Sequence, residues 1–102
     1  MTDSELREEF IRMEERQDGS LVVLIQLIEW QGPHSPMGRW IVWKEIPIQP
    51  SAVERESLAQ EAIKDERYFG LCEECYERNP RGWMHSARLC QTCAERNHGV
   101  HH

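Results

Sequence analysis

The sequence has no long apolar run and no excess of positive charge, and both absences limit what the chain can do. No stretch approaches the roughly 18 consecutive apolar residues that span a bilayer. The N-terminus, M-T-D-S-E-L-R-E-E, lacks the basic start and the apolar stretch of a signal peptide. We therefore expect a cytoplasmic protein. The formal net charge of -6 disfavours nucleic acid as a partner, because a positive field drives phosphate binding.

The charge is unevenly distributed along the chain. Residues 1–69 carry 14 acidic and 8 basic side chains, whereas residues 70–102 carry 4 of each. Neither part offers a strong basic field, although four arginines of the second part could share one face: Arg78, Arg81, Arg88 and Arg96.

The length of 102 residues suits one compact unit with a small core. A capping box of Thr2 and Glu5 predicts an N-terminal helix, which Asp18 and Gly19 are expected to end. The apolar positions of this helix are Leu6, Phe10 and Met13. Its opposite face is expected to be a solvated polar surface.

Two strand-like runs follow the first helix. Residues 20–30 are rich in β-branched and apolar residues, and these occupy both the even-numbered and the odd-numbered positions. Because alternate positions face opposite sides of a sheet, this pattern predicts a strand covered on both faces. Residues 39–47 form a second strand-like run, and residues 31–38, Q-G-P-H-S-P-M-G, join the two. We interpret the pair as a β-hairpin with a long connection, whose register the loop length leaves open.

A second helix is predicted after the hairpin, because Ser51 and Glu54 form another capping box. It is expected to run to about Arg67, with three apolar residues on its buried stripe: Leu58, Ala62 and Ile63. We divide the chain into a helix–hairpin–helix region, residues 1–69, and a segment with four cysteines, residues 70–102. The two are expected to pack as one unit, and the fold class is α+β.

The four cysteines form two Cys-x-x-Cys pairs, Cys72 with Cys75 and Cys90 with Cys93, separated by 14 residues. Two such turns can hold one zinc ion in a tetrahedral shell of thiolates. Because all four positions would be filled by protein, the zinc would be structural. Residues 70–102 are therefore predicted to be a four-cysteine zinc finger. The alternative is buried or redox-active cysteines without metal, but no thioredoxin-like pattern flanks them.

The stretches G-L-C-E-E-C-Y-E-R-N-P at residues 70–80 and A-R-L-C-Q-T-C-A-E at residues 87–95 resemble the C4-type finger of the DksA/TraR family of transcription regulators. The resemblance covers about a quarter of the chain. It implies a metal role for the four cysteines, a treble-clef or DksA-like finger, and a transcription regulator that contacts RNA polymerase. It also implies framework roles for Glu77, Pro80, Arg88 and Leu89.

The sequence departs from that family in ways that bear on function. Tyr76 stands where a glycine is usual, and Asn79 stands where an apolar residue is usual. The family's long helical hairpin has no counterpart, because glycines and prolines interrupt residues 32–38. The resemblance therefore supports the finger's fold better than the family's action on RNA polymerase.

Catalytic motifs are absent from the sequence: it has no Gly-rich phosphate loop, no nucleophile elbow and no Ser/His/Asp set. His85, Asn97 and His98 supply the residue types of an HNH nuclease. The 14 residues between the cysteine pairs leave no room for the strand that carries a nuclease's base. We expect no enzyme and keep a metal-dependent nucleic-acid enzyme as a minor alternative. His98, His101 and His102 crowd the C-terminus, where they are interpreted as a frayed tail.

The four tryptophans are many for so small a chain. They either pin the hairpin to the helices and finger, or provide an aromatic contact surface. We predict partner binding at Trp30 and Trp40, which flank the hairpin connection, and none at Arg81 of the finger. The chain is thus interpreted as a small non-enzymatic protein-interaction or regulatory module with one structural zinc and a protein partner. No small-molecule substrate is evident.

Overall fold

The computed structural model describes residues 1–33 and 35–99. Helices and strands follow one another in an α+β arrangement, which confirms the predicted fold class. In chain order they are α1 (Asp3–Phe10), β1 (Ile11–Glu15), β2 (Leu21–Trp30), β3 (Pro36–Ile46), α2 (Ala52–Ile63), β4 (Phe69–Leu71), β5 (Arg78–Pro80), a 3-10 turn (Arg81–Trp83) and α3 (Gln91–His98). β1, β2 and β3 form one antiparallel sheet, and β4 and β5 form a second, smaller one.

The first helix is shorter than predicted. Its capping box is present, with the Glu5 amide donating to the Thr2 hydroxyl and the Thr2 amide donating to the Glu5 carboxylate. The helix nevertheless ends at Phe10, and the predicted helical position Met13 lies in β1. The reason is the alternation of apolar and polar residues in I-R-M-E-E, which pairs with β2 as a strand. This tertiary pairing outweighs a weak intrinsic preference for helix.

Asp18 and Gly19 close the β1–β2 hairpin instead of ending a helix. Gly19 has a φ of 84°, a left-handed conformation that suits glycine. The Asp18 carboxylate accepts hydrogen bonds from the amide and the hydroxyl of Ser20, at 2.9 and 2.6 Å. The Asp-Gly pair is therefore a hairpin turn, a role that this dipeptide commonly takes between strands.

The β2–β3 hairpin is confirmed, and its register is now defined. Leu21 pairs with Ile46 and Trp30 pairs with Pro36, with a shift between Val23 and Leu24. The prediction of a long connection was wrong. β3 begins at Pro36, so residues 31–35 alone join the two strands instead of residues 31–38. The N-terminal half of β2 is buried on both faces, as expected, whereas its C-terminal half is partly exposed.

The second helix also ends earlier than predicted, at Ile63 instead of about Arg67. Ser51 caps its N-terminus by accepting from the Glu54 amide. Beyond the helix, the Asp65 carboxylate accepts from the backbone and guanidinium of Arg67 and from the Trp43 indole, at 2.6 to 3.0 Å. This carboxylate competes with the helical hydrogen bonds and turns the chain toward β4.

Replacing Asp65 with Asn is expected to lower the free energy of unfolding by about 1–2 kcal/mol at pH 7, since charged hydrogen bonds are lost. The hydrogen bonds from Arg67 hold the pKa of the Asp65 carboxyl well below its ordinary value; burial opposes this shift and the Trp43 indole adds to it. A depressed folded-state pKa stabilises the protein above the unfolded pKa of about 3.9, and this stability is lost as the pH falls below it.

The difference in unfolding free energy between the parent and Asp65→Asn should therefore be full at pH 7 and smaller at pH 3. Urea denaturation of both proteins at each pH measures it. Any loss of metal in acid acts on both proteins and cancels in the difference. A difference independent of pH would show that the charge of Asp65 has no such role.

The main core lies within residues 1–69, and Trp83 of the finger packs against it as a partly buried side chain. Its buried members are Leu6, Phe10, Ile25, Ala62, Ile63 and Phe69. The rings of Phe10 and Phe69 meet edge to face, with centroids 6.4 Å apart. Of the predicted stripe of α2, Ala62 and Ile63 are buried and Leu58 is half-buried. The start of the finger, β4, is thus packed directly against α1 and α2. In the part of the chain that the structure describes, no helix has the length and apolar character to cross a membrane.

Candidate metal centre

The first cysteine pair lies in a tight turn between β4 and β5. The Tyr76 amide donates to the Cys72 carbonyl at 2.9 Å, and the Cys72 amide donates to the Glu77 carbonyl at 3.0 Å. Tyr76 has a φ of 59°, in the left-handed region that favours glycine. The glycine that is usual at this position in the similar fingers therefore has a conformational reason, and the tyrosine here is strained.

The second cysteine pair opens α3. Cys90 is the N-cap residue, and its sulfur accepts a hydrogen bond from the Cys93 amide at 3.4 Å. The helix ends at Gly99, whose φ is 66°. A glycine in the left-handed conformation is a common C-cap of helices. Amides at a helix N-terminus favour negative charge, so this position suits thiolates.

The two pairs meet through backbone contacts. The Glu73 amide, inside the first turn, donates to the Arg88 carbonyl at 2.8 Å, just before the second pair. At the far end of α3, the Glu74 carboxylate accepts a hydrogen bond from the side-chain amide of Asn97 at 2.7 Å. It also contacts the His98 ring at 2.6 Å. These hydrogen bonds, the one with His98 foremost, lower the pKa of the Glu74 carboxyl.

The structure brings the four cysteine sulfurs within 4.8 Å of one another. The Sγ atoms of Cys75 and Cys90 are 3.9 Å apart, far beyond the roughly 2.05 Å of a disulfide bond. Four sulfurs bound tetrahedrally to zinc at about 2.3 Å lie about 3.8 Å from each other. The cluster therefore has dimensions compatible with one four-coordinate metal ion.

The electrostatics of the cluster also suit a cation. Burial raises the pKa of the Cys72 thiol, but amides of Cys75, Cys90 and Glu74 donate to its sulfur and bring the pKa down to about 6. Burial raises the pKa of Cys75, and burial together with the other thiols raises that of Cys93 strongly. One thiolate thus forms readily, whereas a full set of four needs a positive ion to balance it.

The finger has little core apart from these sulfurs. Cys72, Cys90 and Cys93 are buried, and among the described residues only Met84 and Leu89 pack against them as partly buried apolar side chains. Cys75 lies at the exposed edge of the cluster. A metal ion at the centre would therefore replace the apolar contacts that the finger lacks.

The two tryptophans predicted to bind a partner lie in different surroundings. The Trp30 indole donates to the Gly82 carbonyl at 2.7 Å, and its ring meets that of Trp83 edge to face at 5.3 Å. Trp40 is half-buried on β3, with the Arg12 guanidinium 4.5 Å above its ring. Trp30 thus docks the hairpin on the finger, whereas Trp40 packs with Arg12 of β1.

Sequence reasoning missed Gly82 as a contact of this docking. A Cβ at Gly82 would lie 2.5 Å from the Cβ and 2.6 Å from the carbonyl oxygen of Ile28. Only glycine allows the 3-10 turn to approach β2 so closely. The adjacent Arg81-Gly82-Trp83 sequence was the available signal, but nothing in it points to Ile28.

The structure describes the surroundings of His85 and His98. His98 contacts Glu74, as described above, and the His85 amide donates to the Leu89 carbonyl at 2.8 Å. His101 and His102 lie outside the described residues. Within the described residues, the four cysteines are the one group of His, Cys, Asp and Glu side chains placed to hold a metal ion.

Comparisons with known proteins identify no relative. No protein-family model, no curated protein and no solved structure matches the chain. The assignment to the treble-clef or DksA/TraR type of finger therefore stays a prediction. What is established is an α+β chain whose C-terminal part gathers four cysteines in a metal-compatible cluster.

Proposed function

We propose that the chain is a small non-enzymatic zinc-binding protein that acts as a protein-interaction or regulatory module. One structural zinc ion is held by Cys72, Cys75, Cys90 and Cys93. The observation that carries this proposal is the convergence of their four sulfurs within 4.8 Å. Thiolate sulfur suits zinc, copper(I) and iron–sulfur sites, and a closed shell of four cysteines is typical of structural zinc.

The proposal excludes metal-based catalysis on the chemistry of the ligand set. Catalytic zinc keeps one coordination position for water or substrate, whereas four cysteines fill the tetrahedron. The Asn97 and His98 side chains, which a nuclease would use, both contact Glu74. Reduced thiolates are needed for this site, so we place the protein in a reducing compartment such as the cytoplasm.

Elemental analysis of the purified chain tests the zinc assignment. The expected result is one zinc per molecule, and Cys93→Ser should lower the zinc content because it removes a buried ligand. Ser86→Ala is a suitable control, since it changes a residue of the same finger outside the ligand set. A zinc content near zero, or no difference between the two variants, would contradict the assignment.

The interaction role rests on the sheet surface around Trp40. Arg12, Leu24 and Val42 lie in register across β1, β2 and β3, and Trp40 is two residues from Val42 on the same strand. Val42 is 51% exposed, so the surface combines a tryptophan, aliphatic side chains and an arginine. Tryptophan and arginine are the residue types enriched at interface hot spots.

Trp40→Ala is expected to weaken partner binding by more than about 1 kcal/mol. Trp30→Ala should instead act first on stability, because Trp30 holds the 3-10 turn. Affinity pull-down from the native cell, with zinc retained, would supply the partner for the measurement. Val53→Ala is the control, because Val53 is an exposed apolar residue on α2. Normal binding by a folded Trp40→Ala variant would exclude this surface.

A transcription regulator of DksA/TraR type is the alternative proposal. Only the similarity of the finger supports it. That family acts through a long helical hairpin, whereas α1 and α2 have 8 and 12 residues and are separated by the three strands of the sheet. We therefore place the interaction module first. A metal-dependent nucleic-acid enzyme stays a minor alternative.

A further inference from the structure

A cavity of about 390 Å³ lies between the C-terminal end of α2 and the finger. We call it the basic cavity, because its lining includes four cationic side chains and one carboxylate, that of Glu66. The cations are Lys64, Arg78, Arg81 and Arg88. In the sequence they are spread over 25 positions of an acidic chain, and the fold brings them to one place.

Arg81 is held in the basic cavity by the main chain alone. Its Nε donates to the Glu66 carbonyl at 2.9 Å, and its Nη1 donates to the Ala87 carbonyl at 3.1 Å. Across residues 1–33 and 35–99, no carboxylate forms an ion pair with Arg81 or with Lys64. The guanidinium is therefore fixed in position while its charge is not balanced by a neighbour.

The chain leaves room for this guanidinium at Gly70. A Cβ on Gly70 would lie 2.6 Å from Nη1 and 3.2 Å from Cζ of Arg81. The glycine lets the planar group lie across β4, next to the exposed Leu71. A fixed, planar, unpaired guanidinium is the arrangement that binds carboxylates best, because little rotamer entropy is lost when the anion arrives.

The other two cations of the cavity are partly neutralised. Arg78 donates to both oxygens of Asp3 at 3.2 Å. Arg88 lies 3.6 Å from Glu73, but both side chains are more than 60% exposed, so this pair is weak and readily exchanged. The charge available to a ligand therefore comes mainly from Arg81 and Lys64, with Arg88 as a mobile third contributor.

A second groove of the molecule also contains cations, but these are already paired with carboxylates. The groove between α1, β1 and α2 also contains arginines, but Arg7 pairs with Glu56 at 2.6 Å and Arg55 pairs with Glu15 at 2.6 Å. Both cations there already have carboxylate partners. The basic cavity differs from it, because Arg81 and Lys64 have no carboxylate partner among the residues that the structure describes.

We propose that the basic cavity binds the carboxylate side chains of an acidic peptide segment of the partner protein. This inference rests on the proposed function as an interaction module and places a contact in the finger, contrary to the sequence-based expectation for Arg81. The volume is at the low end for ligand cavities, about 300–1,000 Å³, and suits one or two side chains. The exposed Leu71 beside it would accept an apolar neighbour of the acidic residue. The net charge of -6 repels every anion at long range, but it repels a long polyanion such as nucleic acid more than a short segment with a few carboxylates.

The test is an amide NMR titration of the full chain, with its zinc content verified beforehand. The probe is the capped peptide Glu-Leu-Glu-Glu, and its counterpart is Gln-Leu-Gln-Gln. Saturable shifts are expected at the amides of Leu71, Arg78 and Ala87. The Gln peptide should bind at least about tenfold more weakly, because only carboxylates form charged hydrogen bonds with a guanidinium.

Variants locate the site. Lys64→Gln and Arg81→Gln should each weaken binding of the acidic peptide about fivefold, whereas Arg96→Gln, an equal change of charge on α3, should change it less than twofold. Lys64→Gln removes no hydrogen bond of the fold and keeps the test valid if Arg81→Gln unfolds.

Three results would overturn the proposal: no saturable shift in zinc-loaded protein, equal binding of the Gln peptide, or equal weakening by Arg96→Gln. Tighter binding of an eight-residue oligothymidylate at the same amides would also overturn it, in favour of nucleic acid. If the peptide fails to bind while Trp40 still determines capture of the partner, only the basic cavity is refuted. If the protein contains no zinc, the proposed function fails independently of the peptide result.

Discussion

A chelator that removes the metal is expected to unfold the finger, at least over residues 70–97. Zinc binding at a structural site of this kind contributes on the order of 10 kcal/mol, more than the stability of many whole domains. The finger has few apolar contacts to replace it, because its core consists of Cys72, Cys90 and Cys93 with Met84 and Leu89. Removing the ion removes the metal–sulfur bonds that link the two cysteine pairs.

Amide hydrogen exchange before and after chelation measures this unfolding. Protection should be lost in β5 and α3 and regained when zinc is added back, which controls for damage by the chelator. The effect on α1 and β2 should be smaller, since the six buried members of the main core all lie in residues 1–69. Unchanged protection over residues 70–97 in metal-free protein would count decisively against a structural metal.

Gly82→Ala is expected to separate the hairpin from the finger and to lower the free energy of unfolding by about 1–3 kcal/mol, the usual range for overpacking. The added Cβ would meet the Cβ and the carbonyl oxygen of Ile28 at 2.5 and 2.6 Å. Neither atom can move without moving β2. The same shift would break the hydrogen bond from the Trp30 indole to the Gly82 carbonyl.

Gly38→Ala is the matched control for this substitution. The three atoms nearest to a Cβ at Gly38 all belong to the side chain of Gln26, which is flexible and can rotate away. The control should therefore change stability by less than about 1 kcal/mol. Urea denaturation gives both values, and tryptophan fluorescence reports on the Trp30–Trp83 contact. Equal stability of the two alanine variants would refute the close docking of the 3-10 turn on β2.

Local signals predicted the elements better than their lengths. The capping residues Thr2 and Ser51 both cap helices, because a cap depends only on residues within one turn. The end of α1 depends on a strand that lies farther along the chain. The spacing of apolar residues through Met13 predicts a helix, whereas the alternation of apolar and polar residues over positions 11–15 predicts a strand. Pairing with β2 decides in favour of the strand. The Asp18-Gly19 turn was misread for the same reason.

The candidate metal site was predictable because its ligands lie in two short, regular turns. The spacing of each Cys-x-x-Cys pair is sufficient to aim two sulfurs at one point, and the structure brings both pairs together. The docking of Trp30 on Gly82 and the cations of the basic cavity were not predictable. Each depends on contacts between α2, the hairpin and the finger that no periodicity of the sequence contains.

X-ray absorption at the zinc edge tests the central claim most directly. The purified, zinc-loaded chain is predicted to show four sulfur neighbours at about 2.3 Å and no oxygen or nitrogen in the first shell. This result would establish that all four cysteines hold the ion and that no position remains for water. A shell with fewer than four sulfurs, or with a bound oxygen or nitrogen, would contradict the closed structural site.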